Sequence, residues 1–148
     1  MLEARKSSVL SGHYEIVMDG KPITKWQTSM WRTGGTFDLD GHRYEVRSNA
    51  WGTRFTLTRD DATMATAERV GRRRWSVDAG GHVHEFQGRS MWRSEESLLK
   101  AGRPVGYIKR LSIWRSNAVA DLPGLPVPVQ IFALAVTLAK WDNAASSG

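Results

Sequence analysis

DLPGLPVPVQIFALAVTLAKWDN, residues 121–143, decides how this chain folds. From Val129 onward the run has neither the period-two alternation of a strand nor a turn residue, and Pro128 suits a first helical turn, where its missing N–H is not needed. Lys140 suits the last turn, where a cation meets the helix dipole, so a helix is predicted from about Pro128 to Trp141. Val129, Ile131, Phe132, Ala133, Leu134, Ala135, Val136, Leu138 and Ala139 leave only Gln130 and Thr137 to break its apolar surface. Such a helix has to be covered from every side. A bilayer span needs about 20 apolar residues. This run is shorter and is bounded by prolines and by Lys140-Trp141-Asp142, so a protein interior is expected and a transmembrane span is not.

Upstream, the chain supplies the wall. HYEIVMD (13–19) leads through Gly20-Lys21 into PITKWQ, and TFDL (36–39) leads through Asp40-Gly41 into HRYEVRS. RFTLTR (54–59), Asp60-Asp61 and TMATAERV follow, then RRWSVDA, Gly80-Gly81 and HVHEFQG, then SLLK, Ala101-Gly102 and PVGYIKR. Alternating runs joined by such pairs read as hairpins, because these turns demand positive φ. Pro104, which cannot donate to a ladder, is expected at a strand start or edge. With short pieces near Met30, Met91 and Ile113 the total comes to about 12 strands. A helix with its side chains is about 10 Å across, too wide for an eight-stranded barrel, whose lumen side chains already fill. The predicted fold is therefore mainly β, a closed antiparallel barrel of about 12 strands around a hydrophobic C-terminal helix.

The 148 residues, 41% hydrophobic, are read as a single domain with its core at about 13–141 and flexible flanks at 1–12 and 142–148. The chain has no cysteine, which removes disulfides, thiolate nucleophiles and Cys-based zinc sites and permits the cytosol. MLEARKSSVLSGHYEIV lacks an apolar signal region and reads as mature protein. The net charge of +6 and a pI near 10.1 favour anionic partners.

The layout resembles the tubby C-terminal-like superfamily, which includes the LURP-one-related proteins and the phospholipid scramblases. The stretches that carry it are GGTFDLDGHRYEVRSNAWG (34–52), LLKAGRPVGYIKR (98–110) and the apolar segment entered through Asp121-Leu-Pro-Gly-Leu-Pro. The resemblance implies a twelve-stranded barrel around its C-terminal helix and, for some members, phosphoinositide headgroups held by basic residues on the barrel exterior. The palmitoylated cysteine cluster of the scramblases is missing, which argues against lipid translocation. The tetrapeptide SMWR occurs twice, at 29–32 and 90–93, each time ahead of a predicted hairpin, and Trp31 and Trp92 are read as packing residues.

Few residues carry a chemical signal. His82 and His84 share one face of a strand, as a metal chelate needs, but the third ligand, from His42 or Asp78, has no sequence support, and solvated histidines are the reading adopted. Asp38-Leu39-Asp40-Gly41 starts like a calcium loop, yet Tyr44-Glu45-Val46 continues as strand. Turn chemistry accounts for Asp40, Asp60 and Asp61, and Gly34-Gly35 and Gly80-Gly81 are read as turns. No nucleophile elbow or phosphate loop is present. The strongest charge signal is Arg72-Arg73-Arg74-Trp75, whose guanidinium forks suit phosphate and whose indole suits a membrane interface. Lys109 and Arg110 are grouped with it as lipid- or phosphate-binding candidates.

The expectation is thus a noncatalytic, cytoplasmic binding or scaffold barrel. It needs no cofactor or metal and associates peripherally with anionic phospholipid surfaces, phosphoinositide-like headgroups or a protein partner. The alternatives are a barrel for a small hydrophobic ligand, which needs the helix outside an open lumen, and a basic nucleic-acid-binding module. The seven tryptophans and fifteen arginines are scattered without an RNA-binding aromatic pair, which ranks the last reading lowest.

Overall fold

The computed structural model describes residues 1–6, 13–28, 34–90, 93–111 and 117–147. Its strands are β1 (Leu2–Lys6), β2 (His13–Met18), β3 (Lys21–Thr28), β4 (Gly34–Leu39), β5 (His42–Ser48), β6 (Phe55–Arg59), β7 (Ala62–Glu68), β8 (Arg74–Ala79), β9 (His82–Ser90), β10 (Arg93–Lys100), β11 (Arg103–Arg110) and β12 (Ala118–Asp121), followed by helix α1 (Val127–Ser147). Each strand pairs antiparallel with its neighbours in sequence, and β1 pairs with β12 to close a twelve-stranded barrel. Leu2 faces Ala120 and Ala4 faces Ala118 across that seam.

The seam corrects the expectation of flexibility for residues 1–6, while residues 7–12 of that segment lie outside the described residues. Leu2 and Ala4 are completely buried, so the N-terminal strand is part of the wall. Five residues with two inward positions are too few to announce a strand by alternation. α1 likewise runs beyond the predicted end at Trp141, to Ser147. The first SMWR copy, Met91-Trp92 of the second and the piece near Ile113 lie outside the described residues.

Five two-residue turns, Asp19-Gly20, Asp40-Gly41, Asp60-Asp61, Gly80-Gly81 and Ala101-Gly102, have both residues at positive φ, and all lie at one end of the barrel. The first stands one residue earlier than the sequence suggests. Type I′ turns match the right-handed strand twist, which is why Asp and Gly dominate them. Beside three of them a bulge leaves Ile23, Met64 or Val105 without a cross-strand partner, on β3, β7 and β11. These three add twist near the hairpin turns, and a further irregularity lies between Arg93 and Glu96 on β10, against β9. Pro104 sits beside one bulge and Pro22 beside another, where a missing N–H is tolerated in a barrel that has no edge strand.

α1 fills the lumen. Ile131 through Leu138 are buried on every side, and the hydroxyl of Thr137, the one polar group in that run, donates to the Ala133 carbonyl at 2.8 Å. The helix comes closest to β1, β4 and β7. Those strands carry the small residues Ala4, Gly34, Gly35, Ala65 and Ala67, which let a helix backbone approach a sheet. The wall also carries stacked aromatics. Phe37 stacks on Tyr44 with centroids 4.8 Å apart, and Trp75 stacks on Phe86 at 4.5 Å. No helix among the described residues is long and apolar enough to cross a membrane.

Candidate functional site

The helix enters at the hairpin-turn end and leaves at the other, called here the connection end, where the β5–β6 and β7–β8 loops lie. Arg72 and Arg73 stand in the β7–β8 loop and Arg74 opens β8, all three exposed. The loop is fastened to its surroundings: Arg72 N–H donates to the Arg69 carbonyl at 3.1 Å, and Gly88 N–H donates to the Arg73 carbonyl at 2.8 Å. Four exposed arginines elsewhere on the wall have carboxylate partners, Arg5 with Glu3, Arg43 with Asp38, Arg47 with Glu45 and Arg54 with Glu68. Among the described residues, Arg72, Arg73, Arg74, Arg89 and Lys109 make no ion pair. Their charge is available to an external anion.

The other candidates separate from this group. Trp75 is 0% exposed. It shares the inward phase of Val77, and its indole N–H donates to Glu96 Oε1 at 2.7 Å, so it cannot reach a membrane. Arg110 is half-buried with its guanidinium 5.0 Å from the Trp141 ring centroid. It also bears on Tyr14, whose phenol is pushed up by burial and by Asp142 while Arg110 pulls it back. Arg110 thus belongs to the packing at the helix exit. Lys109 remains exposed, its ammonium 4.8 Å from the Tyr107 ring centroid. It is on β11, and with β9 and β10 intervening it stands about 14 Å around the wall from Arg74. Arg72–Arg74 and Lys109 are two separate basic points on one rim.

The residue that sequence reasoning missed is Trp51. Its side chain is 86% exposed, on the β5–β6 connection at the same end. Asn49 builds that loop. Its Oδ1 accepts from the N–H groups of Thr53 at 3.0 Å and Arg54 at 3.2 Å, and its Nδ2 donates to Thr53 Oγ1 at 2.9 Å. The loop is tied to the arginine loop through Val70 N–H, which donates to the Thr53 carbonyl at 3.0 Å. Asn-Ala-Trp-Gly between two strands was the available signal, since it places an indole at a turn and off the inward face.

The hairpin-turn end carries a row of aspartates. Asp19, Asp40, Asp60 and Asp61 occupy its turns, Asp78 accepts from Gly81 N–H, and the His42 ring meets Asp60 at 3.0 Å. Lys21, Arg43, Arg59, Lys100 and Arg103 flank the same turns, so both signs of charge meet at this end. A cleft of about 700 Å³ opens here because β9 and β10 stop pairing at Glu85 and Leu99. His82, His84, Glu85 and Lys100 line it. No third metal-ligating side chain joins the two histidines among the described residues.

Burial pushes His84 below the ordinary imidazole range, His82 adds to this, and Asp78 opposes it. The folded state therefore prefers neutral His84. Its contribution to stability is full above the unfolded value of about 6.5 and is lost as pH falls through that value toward the folded one. His84→Gln should accordingly shrink the drop in melting temperature between about pH 7.5 and about pH 5.5. An unchanged drop would mean that other groups set it.

Compared with protein-family models, with curated proteins and with solved structures, the chain matches none of them.

Proposed function

We propose that the protein is a noncatalytic binding module that associates peripherally with anionic phospholipid surfaces through the connection end of its barrel. One observation carries the reading: Arg72, Arg73 and Arg74 stand consecutively and exposed at a fastened loop, and none of them has a carboxylate partner among the described residues. Two further features support it. The turn aspartates lie at the far end, away from Arg72–Arg74, and leave the basic loop unneutralised. The closed barrel with its C-terminal helix is also the architecture that the tubby-like resemblance implies. Anionic lipid of this kind is richest on the cytoplasmic leaflet, which makes that face the proposed location. The small-ligand alternative needs an open lumen, and α1 occupies that space.

The mechanism is electrostatic. Each basic residue near an anionic surface contributes about 1 kcal/mol, so an Arg72/Arg73/Arg74 triple-alanine variant should lose about 100-fold in partitioning onto phosphatidylcholine–phosphatidylserine vesicles. Co-sedimentation over a salt series measures it. Binding should fade toward about 1 M salt, where screening acts within a few ångströms. Binding that persists unchanged at high salt overturns the mechanism. Binding to an oligonucleotide but to neither neutral nor anionic vesicles would put the nucleic-acid reading in its place.

A further inference from the structure

We infer that Trp51 is a membrane-interface anchor, and that with Leu111 it sets the barrel upright on the bilayer, its connection end down. This rests on the peripheral-membrane reading and adds to it a residue, a depth and an orientation.

Holding an indole in water is unfavourable, since an aromatic of this size buries about 150–250 Å² when it finds a partner. Here the exposure is enforced. The Asn49 bonds fix the backbone on both sides of Trp51, and Gly52 N–H donates to the Asn49 carbonyl at 3.2 Å. A Cβ on Gly52 would lie 2.9 Å from Asn143 Nδ2, so the loop also rests closely against the end of α1. A loop ordered in advance has little entropy left to lose on docking.

Its neighbours select the partner. The arginine loop is hydrogen-bonded to the Trp51 loop, and an indole beside guanidinium groups matches the headgroup layer, where aromatic rings and basic side chains both reside. A protein partner of comparable affinity would call for a broad apolar patch around the indole. Instead Trp51 is flanked by Asn49, Thr53 and the Arg54–Glu68 pair.

Orientation follows from the rim. Leu111, at the end of β11, is 54% exposed. Around the barrel the order is the β5–β6 loop, the β7–β8 loop and then the end of β11, which puts Arg72–Arg74 between Trp51 and Leu111. Two apolar points well apart on one rim, with cations between them, define a plane across the barrel axis.

The test uses the full chain and vesicles of phosphatidylcholine and phosphatidylserine that carry bromine at a shallow acyl position. Wild-type emission should be quenched, and the part quenched should be missing from Trp51→Phe, whose difference from wild type isolates this one indole. Trp51→Ala should bind about tenfold more weakly with an unchanged salt dependence. Val83→Trp in the Trp51→Phe background reports the wall near the hairpin-turn end, where Val83 is 60% exposed, and should stay unquenched. If wild type sediments with the vesicles but is quenched no more than Trp51→Phe, the anchor is refuted and the electrostatic reading stands. Quenching of the Val83→Trp indole refutes the upright orientation. Failure of wild type to sediment with any vesicle refutes the underlying reading and the anchor with it.

Discussion

Lys140→Met is expected to destabilise the protein by about 3–5 kcal/mol at neutral pH, and adding Glu96→Gln should return most of the loss. Glu96 projects inward from β10, is 3% exposed, and accepts from Lys140 Nζ at 2.5 Å as well as from the Trp75 indole. Gly88 provides the room, because a Cβ there would lie 3.2 Å from Glu96 Oε2 and 3.6 Å from Lys140 Nζ. Losing the ammonium strands a carboxylate in the wall, where it cannot turn to water. Losing the carboxylate is milder, since Lys140 is 15% exposed near the barrel mouth and its long stem can carry the charge outward. Glu96→Ala alone should therefore destabilise by less than Lys140→Met. A glutamine at 96 needs no cation and can still accept from Trp75. Chemical denaturation of the three variants decides it, and a double variant as unstable as Lys140→Met would show that the deficit is not the stranded charge. The pair also matters for the proposed surface, because it fastens the exit of α1 at the rim where Asn143 meets the Trp51 loop.

The same residues show what could be read in advance. The apolar run 129–139 has no polar stripe, so its burial inside a wide barrel followed from the sequence alone. Turns were legible because positive φ restricts them to a few residue types. Trp75 was legible too: it is in phase with Val77, which should have ruled it out as a membrane contact. Trp51, the Lys140–Glu96 pair and the bulges at Ile23, Met64 and Val105 were not, since each depends on register or on bonds between distant segments.

Two Gly-Gly pairs that look alike in the sequence should respond very differently to alanine. Gly80-Gly81 is a turn as predicted, and a Cβ at Gly80 meets nothing within 4 Å. Gly80→Ala then carries only the left-handed backbone penalty of about 1–2 kcal/mol, and Gly80→Asn should be close to neutral, as Asp40 and Asp60 hold the equivalent position. Gly34-Gly35 was read as a turn and is instead the start of β4. At Gly34, with φ +148°, a Cβ would fall 1.9 Å from the Val46 carbonyl oxygen. At Gly35 it would fall 2.2 Å from the Gln27 carbonyl oxygen and 2.8 Å from the Trp26 ring. The contact at Gly35 presses β4 against β3, and the contact at Gly34 presses β4 against β5, so the strand is held closely on both edges. Both obstructing oxygens belong to backbone, and backbone in a closed barrel cannot yield without opening it. Gly34→Ala is expected to cost about 3 kcal/mol or more, enough to unfold a marginal domain. Thermal melts of Gly34→Ala and Gly80→Ala side by side make the comparison, and equal losses would mean that β4 and β5 do not pinch together at Gly34.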